Sequence, residues 1–372
     1  MTSGPAPVSP YGTPSRRQEP AVTDPASSPR LPGFGSDNVA GISPAILKAL
    51  AAANEGAMPS YGADAISARV EARFAALFEH EVKVLLVSTG TAANALALSV
   101  LTPPWGAVLC HADSHIENDE CGAPEFFTGG AKLVHVPGVG AKIDPDALRE
   151  AAQRNRGDVH CVQPSCVSIT QASELGTLYS LSETAAIGAV CRQAGLPLHM
   201  DGSRFANAAA ALGVRPAEMT WKAGVDILSF GATKNGAMGV EALVLFDPAR
   251  AGELAFRRKR GGHLASKMRF LAAQMEAYLE GDLWLANARH ANAMAARLAS
   301  GLGGVGGAEI QGAVEANMLF VRLPQPMTDG LLAQGFRFYT ERWGVGVVRL
   351  VTSFATSEAD VDRLVGAARA LA

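Results

Sequence analysis

Two short stretches carry residues suited to covalent chemistry. In Leu196-Pro-Leu-His-Met-Asp201-Gly-Ser-Arg204 a short apolar run ends in a carboxylate. In Asp226-Ile-Leu-Ser-Phe-Gly-Ala-Thr-Lys234-Asn-Gly236 an apolar run ends in small residues and then one lysine. Such a lysine is either an amine held for covalent chemistry or an ordinary solvated charge. Spacing bears on the choice: Lys234 follows Asp201 by 33 residues, about one helix plus one strand, the length of a crossover that returns the chain to the same edge of a parallel sheet. A carboxylate and an amine at one sheet edge suit pyridoxal phosphate. An acid keeps its pyridine nitrogen protonated, and an amine forms the Schiff base.

Two further groups fall at predicted strand ends. Residues 82 to 87, Val-Lys-Val-Leu-Leu-Val, read as a mostly buried strand, and Ser88-Thr89-Gly90-Thr91 turns it into a helix from Ala92 to Val100. Glycine at such a turn lets a ligand approach the backbone, the free N–H groups of the helix start favour an anion, and the hydroxyls of Thr89 and Thr91 add donors. A turn of this composition is also a common helix cap. Arg204 supplies a cation just beyond Asp201.

The elements that must position these groups alternate. Strand signals at 107–110, 132–136 and 166–170 are interleaved with a helix capped by Asp144 with Pro145 at its first position, and with a helix from Ser182 to Ala194 that Gly195 stops. Upstream, Ser43-Pro44 announces a helix to Ala53, and Asp64 caps one whose buried face is Val70, Phe74, Leu77 and Phe78. Alternation from 82 to 246 predicts an α/β fold, a mostly parallel central sheet flanked by helices, with ligands beyond the C-terminal strand ends. Residues 31–255 are expected to form this large domain and 256–372 a smaller C-terminal α+β domain. In the latter, Arg257-Arg-Lys-Arg260 before Gly261-Gly262 reads as a basic turn, and 264–299 as helix broken near Gly281. Strands at 317–322 and 347–352 and a last helix from Ser357 follow.

A chain of 372 residues with formal charge −3 has no sign asymmetry that calls for nucleic acid or an anionic membrane surface, and no apolar run approaches membrane-spanning length. Five cysteines without a C-x-x-C pair suggest neither a disulfide framework nor a zinc site, and a reducing cytoplasm fits best. No metal is expected. Residues 1–30 hold seven of the 21 prolines without apolar periodicity and read as a flexible tail. Arg16-Arg17 is not followed by the apolar stretch of an export signal. No G-x-G-x-x-G follows the first strand, which disfavours a nicotinamide cofactor.

Taken together, the chain resembles the aldolase and β-eliminating lyase group of fold type I pyridoxal phosphate enzymes, most closely the low-specificity L-threonine aldolases. The resemblance covers about residues 34 to 370. It is carried by Phe34-Gly-Ser-Asp-Asn, Tyr61-Gly-Ala-Asp, Thr89-Gly-Thr-Ala-Ala-Asn94, Glu120-Cys-Gly-Ala-Pro-Glu125, His199-Met-Asp-Gly-Ser-Arg-Phe-Ala-Asn207, Gly231-Ala-Thr-Lys-Asn-Gly236, Ser266-Lys-Met-Arg-Phe270 and Arg349-Leu-Val-Thr. It implies that Lys234 forms the Schiff base, that Asp201 pairs with the pyridine nitrogen, and that Thr89, Gly90 and Thr91 hold the phosphate. His115 would stack on the ring. Ser36, Arg204 and Arg349 would bind the substrate carboxylate, with Arg204 also counted among the cofactor contacts, and His160 would stand near the substrate hydroxyl. Plainer readings exist for some of these: His160 as a core histidine, Arg349 as a surface strand residue.

The implied reaction on a small-molecule amino-acid substrate is retro-aldol cleavage of β-hydroxy-α-amino acids, such as L-threonine, L-allo-threonine or phenylserine, to glycine and an aldehyde, with His115 or His160 as base. Alternatives are a β-eliminating lyase, an aminotransferase or a non-catalytic regulator on the same scaffold. The resemblance further implies a homotetramer built from dimers with sites at the subunit interface, to which Tyr61 or Arg269 would contribute. Two departures stand out. Many members have Glu-Asn-Thr-His-Asn where this chain has Thr170-Gln-Ala-Ser-Glu174, and Ala232-Thr233 precedes Lys234 where a serine is usual.

Overall fold

Strands with every residue buried are the backbone of the structure, a computed structural model that describes residues 33–340 and 342–372. The expected proline-rich tail lies outside the described residues. Seven strands form the first sheet: β1 (Lys83–Val87), β2 (Gly106–Cys110), β3 (Lys132–His135), β4 (Gln163–Thr170), β5 (Leu198–Gly202), β6 (Ile227–Gly231) and β7 (Glu241–Leu245), in the order β1-β7-β6-β5-β4-β2-β3. All neighbours run parallel except β7, which is antiparallel to both β1 and β6. Strands β2, β5, β6 and β7 are buried along their whole length, which is why their sequences are continuous apolar runs and do not alternate.

Helices cover this sheet. The first are α1 (Pro44–Ala52), α2 (Ala65–Phe78), α3 (Gly90–Leu101), α4 (His115–Asn118), α5 (Ala123–Thr128), α6 (Pro145–Ala151) and α7 (Leu181–Ala194). Then come α8 (Phe205–Leu212), α9 (Pro216–Met219), α10 (Ala251–Arg260), α11 (Arg269–Leu279) and α12 (Leu283–Leu302). The caps read from the sequence form: Asp64 accepts from Ser67 N, Asp144 from Asp146 N and Ala147 N, and Gly195 ends α7 in the left-handed region. Ser43 does sit at the N-cap of α1, but its side chain makes no cap bond; its backbone N–H donates to Gly236 O at 2.8 Å instead. The expected basic turn is the last turn of α10, where four positive residues complement the negative end of the helix dipole.

A second sheet, β8 (Glu309–Gln311), β9 (Met318–Arg322), β10 (Tyr339–Thr340) and β11 (Val347–Val351), is antiparallel in the order β10-β11-β9-β8, with α13 (Gln325–Ala333) and α14 (Glu358–Ala370) beside it. A break after residue 255 does not follow the packing. Met275 and Tyr278 of α11 and Trp284 and Ala288 of α12 share the core of the first sheet, whereas Met294, Leu298 and Leu302 of α12 join that of the second. One long helix thus hands the chain from one core to the other, its two halves bridging them. No helix among the described residues is long and apolar enough to cross a membrane.

Two packing features fix the edge where β5 and β6 end. Phe74, Phe205, Phe230 and Trp284 form an aromatic cluster, with Phe74 edge-on to Phe230 at 5.1 Å, and pairs of this geometry add roughly 1 kcal/mol to burial. Phe205 follows Arg204 and Phe230 precedes Lys234, so the cluster pins both site loops. A Cβ at Gly231 would lie 2.5 Å from Ser203 O; only glycine lets the β6 end come this close to the residues after Asp201.

Candidate active site

Asp201 lies near the end of β5, fully buried, with Ser203 N donating to it at 3.0 Å. Burial alone would raise its pKa; the positive charges of His115 and Lys234 and the Ser203 hydrogen bond outweigh that and hold the carboxyl below its ordinary value. Asn94, on α3, donates at 2.8 Å to both Asp201 Oδ2 and Glu120 Oε1, and Glu120 Oε1 also meets His115 Nδ1 at 2.8 Å. Beneath Asp201, His199 is held between Ser168 at 2.9 Å and Ser229 at 3.0 Å, and burial pushes it down to about 4, so it is neutral. His115, Glu120 and Asp201 offer possible ligand atoms within 4.8 Å of one another, yet Asn94 already bridges the two carboxylates.

Lys234 stands in the turn Thr233–Asn235 that follows β6. Asn235 secures the turn by donating to Tyr278 OH at 2.7 Å and Trp284 O at 2.8 Å, and Asn287 donates to Asn235 O at 2.8 Å. Thr233 Oγ1 accepts from Val240 N. The Lys234 amine makes no hydrogen bond or ion pair among the described residues, although its charge is felt by Asp37, Asp201 and Glu241. Glu241, buried on β7 beside the turn, accepts from Ala232 N at 2.9 Å; burial drives its carboxyl up to about 7 against the lowering effects of Thr233, Ala232 N and Lys234.

The start of α3 offers the anion cradle. Thr89 caps the helix by accepting from Ala92 N at 3.1 Å, the N–H groups of Gly90 and Thr91 donate to no other group among the described residues, and the space beside Gly90 is open.

Of the three arginines around the site, two are already paired. Arg204 is buried, and its Nε and Nη2 grip Asp37 Oδ2 and Oδ1 at 2.8 and 3.0 Å. Arg204 is thereby anchored to the segment 34–39 through Nε and Nη2, while its Nη1 makes no bond to Asp37; Asn317 adds a third bond to Asp37 at 3.1 Å. Arg342 pairs with Asp119. Arg349 lies against Tyr339 and Trp343, at 5.0 and 4.7 Å from their ring centroids, and among the described residues donates only to Gly35 O, at 3.3 Å. Its Nε is buried without a partner, and desolvation with the nearby Arg204 charge lowers its pKa. Ser36 caps the turn Asp37–Val39, accepting from Asn38 N at 3.1 Å.

His160 does not join this group. It is exposed in a turn before β4, its N–H bonded to Asp158 Oδ1, while the site end of β4 is Thr170, opposite Asp201. The eight residues of β4 span roughly 26 Å at about 3.3 Å per residue, so His160 belongs to the opposite sheet edge. Asp37, Asn94, Glu120, Glu174 and Glu241 were missed as site residues. Asp37, Asn94 and Glu120 lie inside the stretches that carry the family likeness, which is the signal that could have found them.

The residues fit pyridoxal phosphate: an ionised acid at a buried strand end for the pyridine nitrogen, an unpartnered amine from the adjacent strand, and open helix N–H groups for a phosphate. Such a fold and site define a fold type I pyridoxal phosphate enzyme. A model of the beta-eliminating lyase family matches residues 33–324, and the chain belongs to that family. A low specificity L-threonine aldolase of Pseudomonas sp. (strain NCIMB 10558) is 45% identical over 338 residues, covering 91% of this chain and 97% of the relative. That of Pseudomonas aeruginosa is 45% identical over 331 residues, covering 89% and 94%. The structure of Leishmania major threonine aldolase superposes with a TM-score of 0.85 at 31% identity, covering 91% of this chain and 99% of that one. The chain is closely related to the low-specificity L-threonine aldolases, and its activity is that of a pyridoxal phosphate-dependent lyase or aldolase on small amino acids.

Proposed function

We propose that the protein cleaves β-hydroxy-α-amino acids, L-threonine and L-allo-threonine among them and phenylserine as a larger one, to glycine and an aldehyde. The observation that carries this reading is the unpartnered Lys234 amine, in electrostatic reach of the ionised Asp201, with the orphaned Nε of Arg349 on the same site. The names of the 45% identical relatives support the substrate class. Lys234 would hold the cofactor covalently, Asp201 would keep a proton on its ring nitrogen, Thr89, Gly90 and Thr91 would bind its phosphate, and His115, steadied by Glu120, would lie on its ring. When bound, the cofactor supplies an electron sink for the bonding pair released at Cα. Arg349, with Ser36, orients the substrate carboxylate, which selects the bond at Cα that breaks.

Lys234→Ala is expected to abolish both the visible absorbance of the loaded protein and glycine release from L-threonine; a fully active variant insensitive to borohydride refutes the assignment. Release of ammonia and a keto acid from the wild-type protein marks a β-eliminating lyase instead. A homotetramer with Tyr61 and Arg269 reaching a neighbouring site is part of the same reading. Exposed Val39, Leu47 and Met238 are apolar groups a partner subunit would cover, and light scattering of the purified protein tests the assembly.

A further inference from the structure

The segment from Gln171 to Tyr179, after β4, is firmly built. Gln171 N donates to Asp201 O at 2.8 Å, and the Gln171 amide clasps the backbone of Tyr179 through bonds of 2.8 and 2.9 Å. Ser173 and Thr177 then close a tight turn: Ser173 N donates to Thr177 O at 2.9 Å, their hydroxyls meet at 2.7 Å, and both reach Gly140 O. Glu174 stands at the tip of that turn. Its Oε1 is shielded from solvent and has no hydrogen-bond partner, and its charge is felt by His115, Arg204, Arg342 and Arg349.

Charge pairing around it is uneven. Asp37 takes Arg204 and Asp119 takes Arg342, whereas neither Arg349 nor Glu174 has an ion pair among the described residues. Each carries an orphaned buried atom, a donor on Arg349 and an acceptor on Glu174, and no ion pair joins them. A buried donor and a buried acceptor left open at one site ask for a ligand that supplies both partners. A β-hydroxy-α-amino acid does so: its carboxylate accepts from Arg349, and its β-hydroxyl donates to Glu174.

Resting on the aldolase reading above, we propose that Glu174 is the catalytic residue that binds the substrate's β-hydroxyl and takes its proton. The O–H bond breaks toward the Glu174 carboxylate, the Cβ–O bond becomes the carbonyl of the aldehyde, and the Cα–Cβ pair remains on Cα. Cα then takes up one proton to give glycine, and Glu174 gives up the one it accepted, so no oxidant or reductant enters. The two histidines expected to serve are placed otherwise: His160 is on the far edge, and His115 is committed to Glu120 at 2.8 Å. Burial would lower the His115 pKa, but Glu120, Asp201 and Glu174 outweigh it and hold it above its ordinary value.

The test is Glu174→Gln in the cofactor-loaded protein, assayed three ways. Glycine release from L-threonine should fall about 100-fold or more, the scale of a lost general base. Exchange of the glycine α-hydrogen with deuterated solvent, which needs Lys234 and Asp201 but no β-hydroxyl, should stay within about threefold of wild type. The dissociation constant of L-2-aminobutyrate, which lacks the hydroxyl, should likewise be unchanged. Threonine cleavage within about threefold of wild type, or a parallel fall in cleavage and glycine exchange, overturns the proposal. Failure of the aldolase reading shows separately, as a wild-type protein that exchanges glycine hydrogen and releases no glycine from L-threonine.

Discussion

Replacing Glu241 with glutamine removes a charge while keeping the shape of the group beside the Lys234 turn. The buried carboxyl titrates near 7 in the folded protein against an ordinary 4.5, because burial outweighs the help of Thr233, Ala232 N and Lys234, and Asp201 repels it further. Between those two pH values the folded chain holds a proton that the unfolded chain has lost, so stability falls as pH rises. The Glu241 contribution is intact below 4.5 and gone once the pH has passed about 7. At about 1.36 kcal/mol per tenfold change in acidity, the interval amounts to about 3 kcal/mol. Unfolding entropy near 2.1 cal/mol/K per residue over 372 residues makes that about 4 °C in Tm. Thermal unfolding of the cofactor-free wild type and Glu241→Gln proteins at pH 5 and pH 8 is the assay. The variant should gain on wild type by about 4 °C between the two conditions, because every other titrating group is common to both. An equal gap at both pH values refutes the claim that Glu241 carries a charge at pH 8 that the fold opposes.

His160→Phe should leave L-threonine cleavage within about twofold of wild type, since His160 is exposed at the opposite end of β4; a loss of the size expected of a general base places it back at the site. Asp37→Asn strips the buried Arg204 of its counter-charge and should destabilise the protein by roughly 3 kcal/mol or more, read as a lower urea midpoint, with an unchanged midpoint showing that the pair is not holding segment 34–39.

What could be read before the structure follows from how local each signal is. Buried strands announce themselves as apolar runs, Asp144 caps the start of α6 where expected, and Gly195 stops α7 in the left-handed region; α3 begins at Gly90 on a Thr89 cap, two residues before the expected Ala92. Lys234 and Asp201 were legible for the same reason, as polar residues at the ends of such runs. The Arg204–Asp37 pair was not legible because the two residues are 167 apart in sequence, and no local pattern tells an open guanidinium from one already paired. His160 was placed near the substrate by the family likeness alone; it precedes β4, whose other end, at Thr170, lies opposite Asp201. The basic run 257–260 looked like a turn because its charges hid a helix end, which the dipole favours. The helix 283–302 hid the handover between cores, since its apolar face continues unbroken from one to the other.

The pairing of charges at the site also bears on selectivity. Had Arg204 been free, the site would hold two open guanidinium forks and would favour any amino acid by its carboxylate alone. With Arg204 bound to Asp37 and Arg342 to Asp119, the charged groups whose buried atoms stay open include Arg349 Nε and Glu174 Oε1. An amino acid without a β-hydroxyl satisfies the first and leaves the second buried and unpaired, a loss of roughly 1–3 kcal/mol, or about 5- to 150-fold in affinity. On the reading proposed above, selection for the β-hydroxyl would come from that unmet acceptor, in the way a site built to pair a substrate hydroxyl rejects the analogue lacking it.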